Sequence, residues 1–168
     1  GFMLSAIDDE NPVVFMEQKT LYGMSFDVDD EIEPIPLGKA KVTREGDDVT
    51  IITYAKQALQ ALQAAEQLEK EGISVEVLDL RSLYPLDKEA IKATVEKTGK
   101  VVLATEETMR GSYIAEIASI IADECFYDLD APIKRVASLD TPVPFATVLE
   151  DVYMPQVEDI VRAVKEIA

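Results

Sequence analysis

The sequence predicts an α/β domain, built on a largely parallel β-sheet with helices over both faces. Three observations predict it. From Lys39 onward, short apolar runs rich in Val and Ile alternate with stretches whose apolar residues recur every three or four positions. Gly72 and Gly99 stand where two of those helical stretches end. With 168 residues, 48% of them hydrophobic, one domain can bury a core without disulfides or metal.

Taken in order, Phe2 to Ile7 are apolar and run without a cap into the turn formers Asp8 to Pro12, which reads as the last turn of a helix. Val13-Val14-Phe15-Met16 has the β-branched and aromatic character of a buried strand. A helix and a strand with nothing ahead of them read as the start of an excised piece, with Gly1 as a residue left by an expression tag. Between Leu21 and Gly38 neither period holds. The acidic run Asp27 to Glu33 and the prolines Pro34 and Pro36 give an extended linker, and the run has no central glycine to make it a calcium loop.

Val49 to Thr53 reads as a strand and Ala55 to Glu71 as a helix whose Ala58, Leu59, Leu62, Ala65 and Leu68 form one apolar face. Ile73 to Asp79 is the next strand. Pro85-Leu86-Asp87 opens a helix from Lys88 to Thr98, and Lys100 to Ala104 is a third strand. A long helix begins near Ser112, with Ile114, Ile117, Ile120, Ile121 and Phe126 as its buried stripe; Glu116 stands one residue too far from Ser112 for a capping box. Pro132 to Ala137 is a fourth strand. Val157 to Ala168 is a closing helix with Val157, Ile160, Val161, Val164 and Ile167 inward.

Composition excludes several chemistries. There is no histidine, so neither a Ser-His-Asp nor a Cys-His mechanism is possible, nor a His-rich metal site. A formal charge of -17 disfavours nucleic acid and anionic membranes, which need clustered Lys or Arg. Two readings of that acidity stay open: it keeps the protein soluble, or it meets a basic protein surface. The single cysteine, Cys125, sits in an apolar run and is expected to pack as a small hydrophobe, which fits a reducing cytoplasm. No apolar stretch approaches the roughly 20 residues of a membrane span, and no signal-peptide pattern stands at the N-terminus, so a cytoplasmic protein is expected.

The glycines are isolated, so no Gly-rich loop can cradle a phosphate. This argues against a stand-alone nucleotide- or metabolite-binding domain, which the α/β order alone would permit. Glu106-Glu107 is the most suggestive carboxylate pair, expected just past a strand end, where open sheets take ligands. Neighbours on a strand point to opposite faces, so a loop, cap or interface role is preferred to an acid/base couple. Asp140-Thr141-Pro142-Val143-Pro144-Phe145 is a rigid extended segment with no catalytic group. It is expected to pack on its own domain, the alternative being that it presents Val143, Phe145 and Tyr153 to another surface.

Together these pieces resemble the beta subunit of the thiamine-diphosphate-dependent decarboxylating component of 2-oxo acid dehydrogenases, the pyruvate, branched-chain and acetoin enzymes included. Residues 9–22 look like the end of that family's pyrimidine-binding domain, and Ile35 to Ala40 like its linker exit. Val77 to Asp87 is similar to a signature joining a strand to a helix, and Ala131 to Val136, Asp140 to Phe145 and Leu149 to Pro155 complete the series. The Glu124-Cys125-Phe126 and Asp140-Thr141-Pro142 segments lean toward the branched-chain or acetoin type. A transketolase or deoxyxylulose-phosphate synthase C-terminal domain is the alternative, against which the acidic linker and the Asp140 to Phe145 segment argue.

The resemblance implies a transketolase C-terminal-like fold: a three-layer α/β/α sandwich on a mostly parallel five-stranded sheet. It divides the chain into a remnant of the preceding domain at 1–22, a linker at 23–38 and the domain itself at 39–168. The full enzyme is expected to hold thiamine diphosphate and magnesium, and this part none. The family's cofactor-activating residue and catalytic histidine lie ahead of the matched segments. No catalytic, cofactor-binding or metal residue is therefore expected here, and the part alone should be inactive. Glu106 to Ser112 departs from the histidine and paired glycines that the family often has there. The partners implied are the alpha subunit, a second beta subunit and the basic subunit-binding domain of the dihydrolipoyl acyltransferase. Glu116, Ile120, Asp123 and Glu124, neighbours on one helix face, are the candidate contacts for the last.

Overall fold

The computed structural model describes all residues except Phe26 and Asp29, both within the expected linker. Its elements are α1 (Phe2–Asp8), β1 (Lys41–Arg44), β2 (Val49–Thr53), α2 (Lys56–Glu69), β3 (Val75–Asp79), α3 (Lys88–Thr98), β4 (Val101–Thr108), α4 (Tyr113–Glu124), β5 (Lys134–Ser138), α5 (Thr147–Tyr153) and α6 (Val157–Lys165). The five strands form one sheet in the order β1-β3-β2-β4-β5. β1 runs antiparallel to β3, and every other pair is parallel. The expected five-stranded, mostly parallel sheet is thus what the chain forms.

Helices cover both faces. On one, α2 and α6 pack on Val49, Ile51, Val77, Val102 and Val136. On the other, α3 and α4 pack on Ile52, Leu78, Val101 and Leu103. The strands β2 and β3 are buried on both sides, which is why they read as near-continuous apolar runs rather than as alternation. Burying Ile51 and Ile52, both fully enclosed, stabilises by about 1.5–3 kcal/mol each. Gly72 and Gly99 close α2 and α3 at φ 85° and 65°, where a residue with a Cβ would be strained. Asp87 opens α3, accepting from Ala90 N at 3.3 Å while its other oxygen accepts from Ala40 N at 3.1 Å, so one carboxylate caps a helix and ties down the entry to β1.

A polar cluster interrupts the α3 contact. Glu76 on β3, 2% exposed, accepts from the Thr94 hydroxyl and from Lys97 Nζ at 2.5 Å. Lys97 also reaches Glu45 at 2.7 Å, and Thr50 Oγ1 shares hydrogen bonds with Thr94 and Thr98 at 3.2 and 2.9 Å. A buried carboxylate needs such partners, because unpaired it costs several kcal/mol.

Four expectations are corrected. Val13 to Met16 form no strand: a strand needs a neighbour for its N–H and C=O groups, the sheet ends at β1 and β5, and the four side chains stand 37–85% exposed. β1 was not anticipated, since Lys41, Thr43 and Arg44 give an edge strand little apolar signal. β4 runs on to Thr108, so Glu106 and Glu107 lie on the strand rather than past it. Phe126 is not in the stripe of α4: the helix stops at Glu124, the chain tightens into a 3-10 turn over Phe126–Asp128, and Cys125 takes the buried place while Phe126 is 63% exposed. No helix among the described residues is long and apolar enough to cross a membrane.

Candidate functional site

β2 sends its connection to β3 on one side, while β4 pairs on the other. The C-terminal ends of β2 and β4 therefore flank the switch point where open α/β sheets form a crevice. The adjacent carboxylates divide at this edge as strand geometry requires. Glu106 turns toward α2, 3.6 Å from Lys56 Nζ. Glu107 turns toward α4, where one oxygen accepts from Tyr113 N at 2.6 Å and the other from the Tyr54 hydroxyl at 2.8 Å. The Thr105 hydroxyl donates to Tyr54 at 2.9 Å. Burial pushes the Tyr54 hydroxyl well above its ordinary pKa. Tyr113 is raised as well, by burial first and then by the charge of Glu116.

Glu107 is thus the N-terminal cap of α4, a role no spacing rule announced because the capping group comes from the preceding strand. Ser112, at the N-cap position, makes no side-chain cap of its own. An open crevice of about 630 Å³ lies beside this corner, lined by Glu107, Ser112, Tyr113 and Glu116 among others. Two carboxylates line it and no cation, so it does not suit an anion. The helix amide that would greet a phosphate already holds Glu107.

The four candidate contacts all lie on α4. Glu116, Asp123 and Glu124 are exposed and Ile120 is half-buried between them. All three carboxylates act on one cation. Lys88 of α3 hydrogen-bonds Glu124 at 2.7 Å, and this bond first, then the charges of Glu124, Glu116 and Asp123, hold the ammonium above its usual range. From Gly111 to Ile133 the chain has five carboxylates and neither Lys nor Arg. Beyond α4, Phe126 and Tyr127 stack edge-on with centroids 5.5 Å apart, and Tyr127 is 97% exposed.

A second surface is apolar. Phe145 is fully exposed at 104%, and Leu139, Val143, Val148, Leu149 and Val152 in the same stretch of chain are more than half exposed. The expectation that this segment packs on its own domain holds for Tyr153, which is buried, and fails for Val143 and Phe145. α5 carries the rest of the patch and was not anticipated; its apolar residues at 148, 149 and 152 face outward instead of onto the sheet.

A mostly parallel sheet between two helical layers, with one antiparallel edge strand and an acidic crevice near the strand ends, makes this a three-layer α/β domain. Over residues 38–160 the chain matches the family described as Transketolase, C-terminal domain, and it belongs to that family. Among curated relatives it is similar to the 2-oxoisovalerate dehydrogenase subunit beta of Bacillus subtilis (strain 168), 49% identical over 172 residues that cover 100% of this chain and 52% of that protein. It is also similar to the pyruvate dehydrogenase E1 component subunit beta of Rickettsia felis, 47% identical over 99% of this chain and 51% of that protein. The acetoin:2,6-dichlorophenolindophenol oxidoreductase subunit beta of Bacillus subtilis (strain 168) is 48% identical over 99% of this chain and 49% of its own length. The chain spans about half the length of these relatives. Among solved structures, a split gene transketolase in an inactive beta4 tetramer superposes with a TM-score of 0.71 and 31% identity, over 80% of this chain and 44% of that one.

Proposed function

We propose that this chain is the C-terminal domain of the beta subunit of a thiamine-diphosphate-dependent 2-oxo acid or acetoin dehydrogenase, and that its own work is assembly and docking. The observation that carries the reading is the 46–49% identity to beta subunits along essentially the whole chain. The surfaces support it. On this reading residues 1–22 belong to the preceding pyrimidine-binding domain, 23–38 are linker and 39–168 are the assembly domain. The apolar patch around Phe145 is a subunit contact, toward the alpha subunit or a second beta subunit. The α4 face receives the basic subunit-binding domain of the dihydrolipoyl acyltransferase, because clustered carboxylates speed the approach of a basic module and reject acidic ones.

The residues present do not fit thiamine diphosphate. The strand-end crevice is acidic, and Glu107 holds the helix amide that a diphosphate would need. The cofactor and magnesium therefore belong, on this reading, to other parts of the enzyme, and no chemical step is assigned to these residues. The test is affinity for the acyltransferase's basic subunit-binding domain at low salt. Glu116→Lys with Glu124→Lys should weaken it at least tenfold, an effect that shrinks as salt is added. Equal affinity of variant and parent removes the α4 face from the reading.

A further inference from the structure

We infer that Phe126 and Tyr127 form an arginine-selective anchor at the C-terminal end of the α4 face, receiving a guanidinium from a basic polypeptide partner. The inference rests on the docking reading and adds the chemistry that selects the partner. Four observations meet at this corner. The two rings stand at 83° to each other and are 63% and 97% exposed, so apolar ring surface is presented to water beside charged groups. Neither ring has a cation; among the described residues the cation–π pair is Arg81 over Phe2, far along the chain at α1.

The third observation is electrostatic. The C-terminal end of a helix carries roughly half a negative charge on its free carbonyls and is normally answered by Lys or Arg. The last turn of α4 has no basic residue and instead carries Asp123 and Glu124, with Asp128 just beyond. Glu124 is answered by Lys88 from α3, but Asp123 and Asp128 have no ion pair within 4 Å among the described residues. The corner is thus short of positive charge for reasons of its own, apart from the acidity of the whole chain. Fourth, the rings and the charges share one short segment, Asp123 to Asp128, so carboxylates flank the two rings on both sides in the chain. That combination favours guanidinium over ammonium, because arginine is planar, weakly hydrated and can stack on a ring while its edge meets a carboxylate, whereas the lysine ammonium keeps its water.

The experiment compares an oligoarginine with an oligolysine peptide of equal length, by titration calorimetry at low salt on three forms of the chain. The parent should favour oligoarginine. Phe126→Leu with Tyr127→Leu keeps the corner apolar and removes the rings; the ratio of the two affinities should fall roughly threefold to tenfold, with oligolysine affinity little changed. Glu116→Gln, Asp123→Asn and Glu124→Gln together should weaken both peptides, while the rings still favour oligoarginine. Tyr127→Leu alone, at a residue almost wholly in water, serves if the double variant melts early, and should give part of the loss. An unchanged ratio in the ring variants overturns the arginine anchor and leaves the docking reading standing. Failure of the parent to bind either peptide, or binding that ignores the three charge changes, overturns both.

Discussion

Replacing Lys97 by Met isolates the buried carboxylate in the α3 contact. Glu76 is 2% exposed, and Lys97, at 2.5 Å, is its one cation within 4 Å among the described residues. Met keeps most of the lysine stem and leaves the carboxylate with the Thr94 hydroxyl. Breaking a wholly buried ion pair costs about 3–5 kcal/mol. The Lys97 side chain is 35% exposed, so water screens one side and the expected cost falls to about 2 kcal/mol. For a domain of this size that lowers Tm by roughly 4–8 °C, readable by far-UV circular dichroism and by urea unfolding. Lys92→Met, which loses only an exposed pair with Glu96 at 3.8 Å, is the control and should stay within about 0.5 kcal/mol of the parent. Adding Glu76→Gln to Lys97→Met should recover at least about 1 kcal/mol, because a neutral amide is cheaper to leave dry.

Acid provides an independent check on the same cluster. The hydrogen bond from Lys97 first, and then its charge, hold Glu45 below the ordinary carboxylate range. A lowered pKa stabilises the fold above the unfolded value and ceases to do so as pH falls through the folded one. The parent therefore loses in acid a contribution that Lys97→Met never had, and the gap between the two should narrow below about pH 4. Equal melting of Lys97→Met and Lys92→Met at neutral pH would refute the reasoning, and so would a gap that stays constant in acid.

Two further outcomes follow from the strand ends. Glu107→Ala removes the cap of α4 and the partner of Tyr54, and should cost about 1–2 kcal/mol in urea unfolding with faster amide exchange at Tyr113 to Ala115. Ala55 sits at φ 54° and ψ -137°, a conformation that strains any residue with a Cβ. Ala55→Gly should therefore raise stability by about 1 kcal/mol despite the added freedom of the unfolded chain, and a loss on thermal unfolding would show that the position carries no strain.

Elements with both ends marked in the sequence were legible. α3 runs from Lys88 to Thr98 as expected because Asp87 and Gly99 cap it with their own chemistry. The central strands were legible because burial on both sides leaves them mostly apolar and β-branched, with Glu76 and the terminal Asp79 as the charged exceptions on β3. What failed lacked a local signal. Val13 to Met16 look like a strand but find no neighbour, and β1 finds a neighbour without looking like one. α5 hides behind two prolines and turns its apolar residues outward. At the candidate site, helical spacing alone placed Glu116, Ile120, Asp123 and Glu124 on one face. The same rule put Phe126 wrongly in the buried stripe and left Tyr127 unassigned, since α4 ends at Glu124 with neither Gly nor Pro to announce it.

The sheet acts as a bulkhead between two separately filled compartments, with α2 and α6 on one side and α3 and α4 on the other. Side chains more than about 7–10 Å apart with no shared neighbours contribute independently to stability. Changes on the carboxylate-bearing side can then accumulate without disturbing the packing behind it. A lineage could in this way exchange one recognition chemistry for another while inheriting the opposite half of the domain intact.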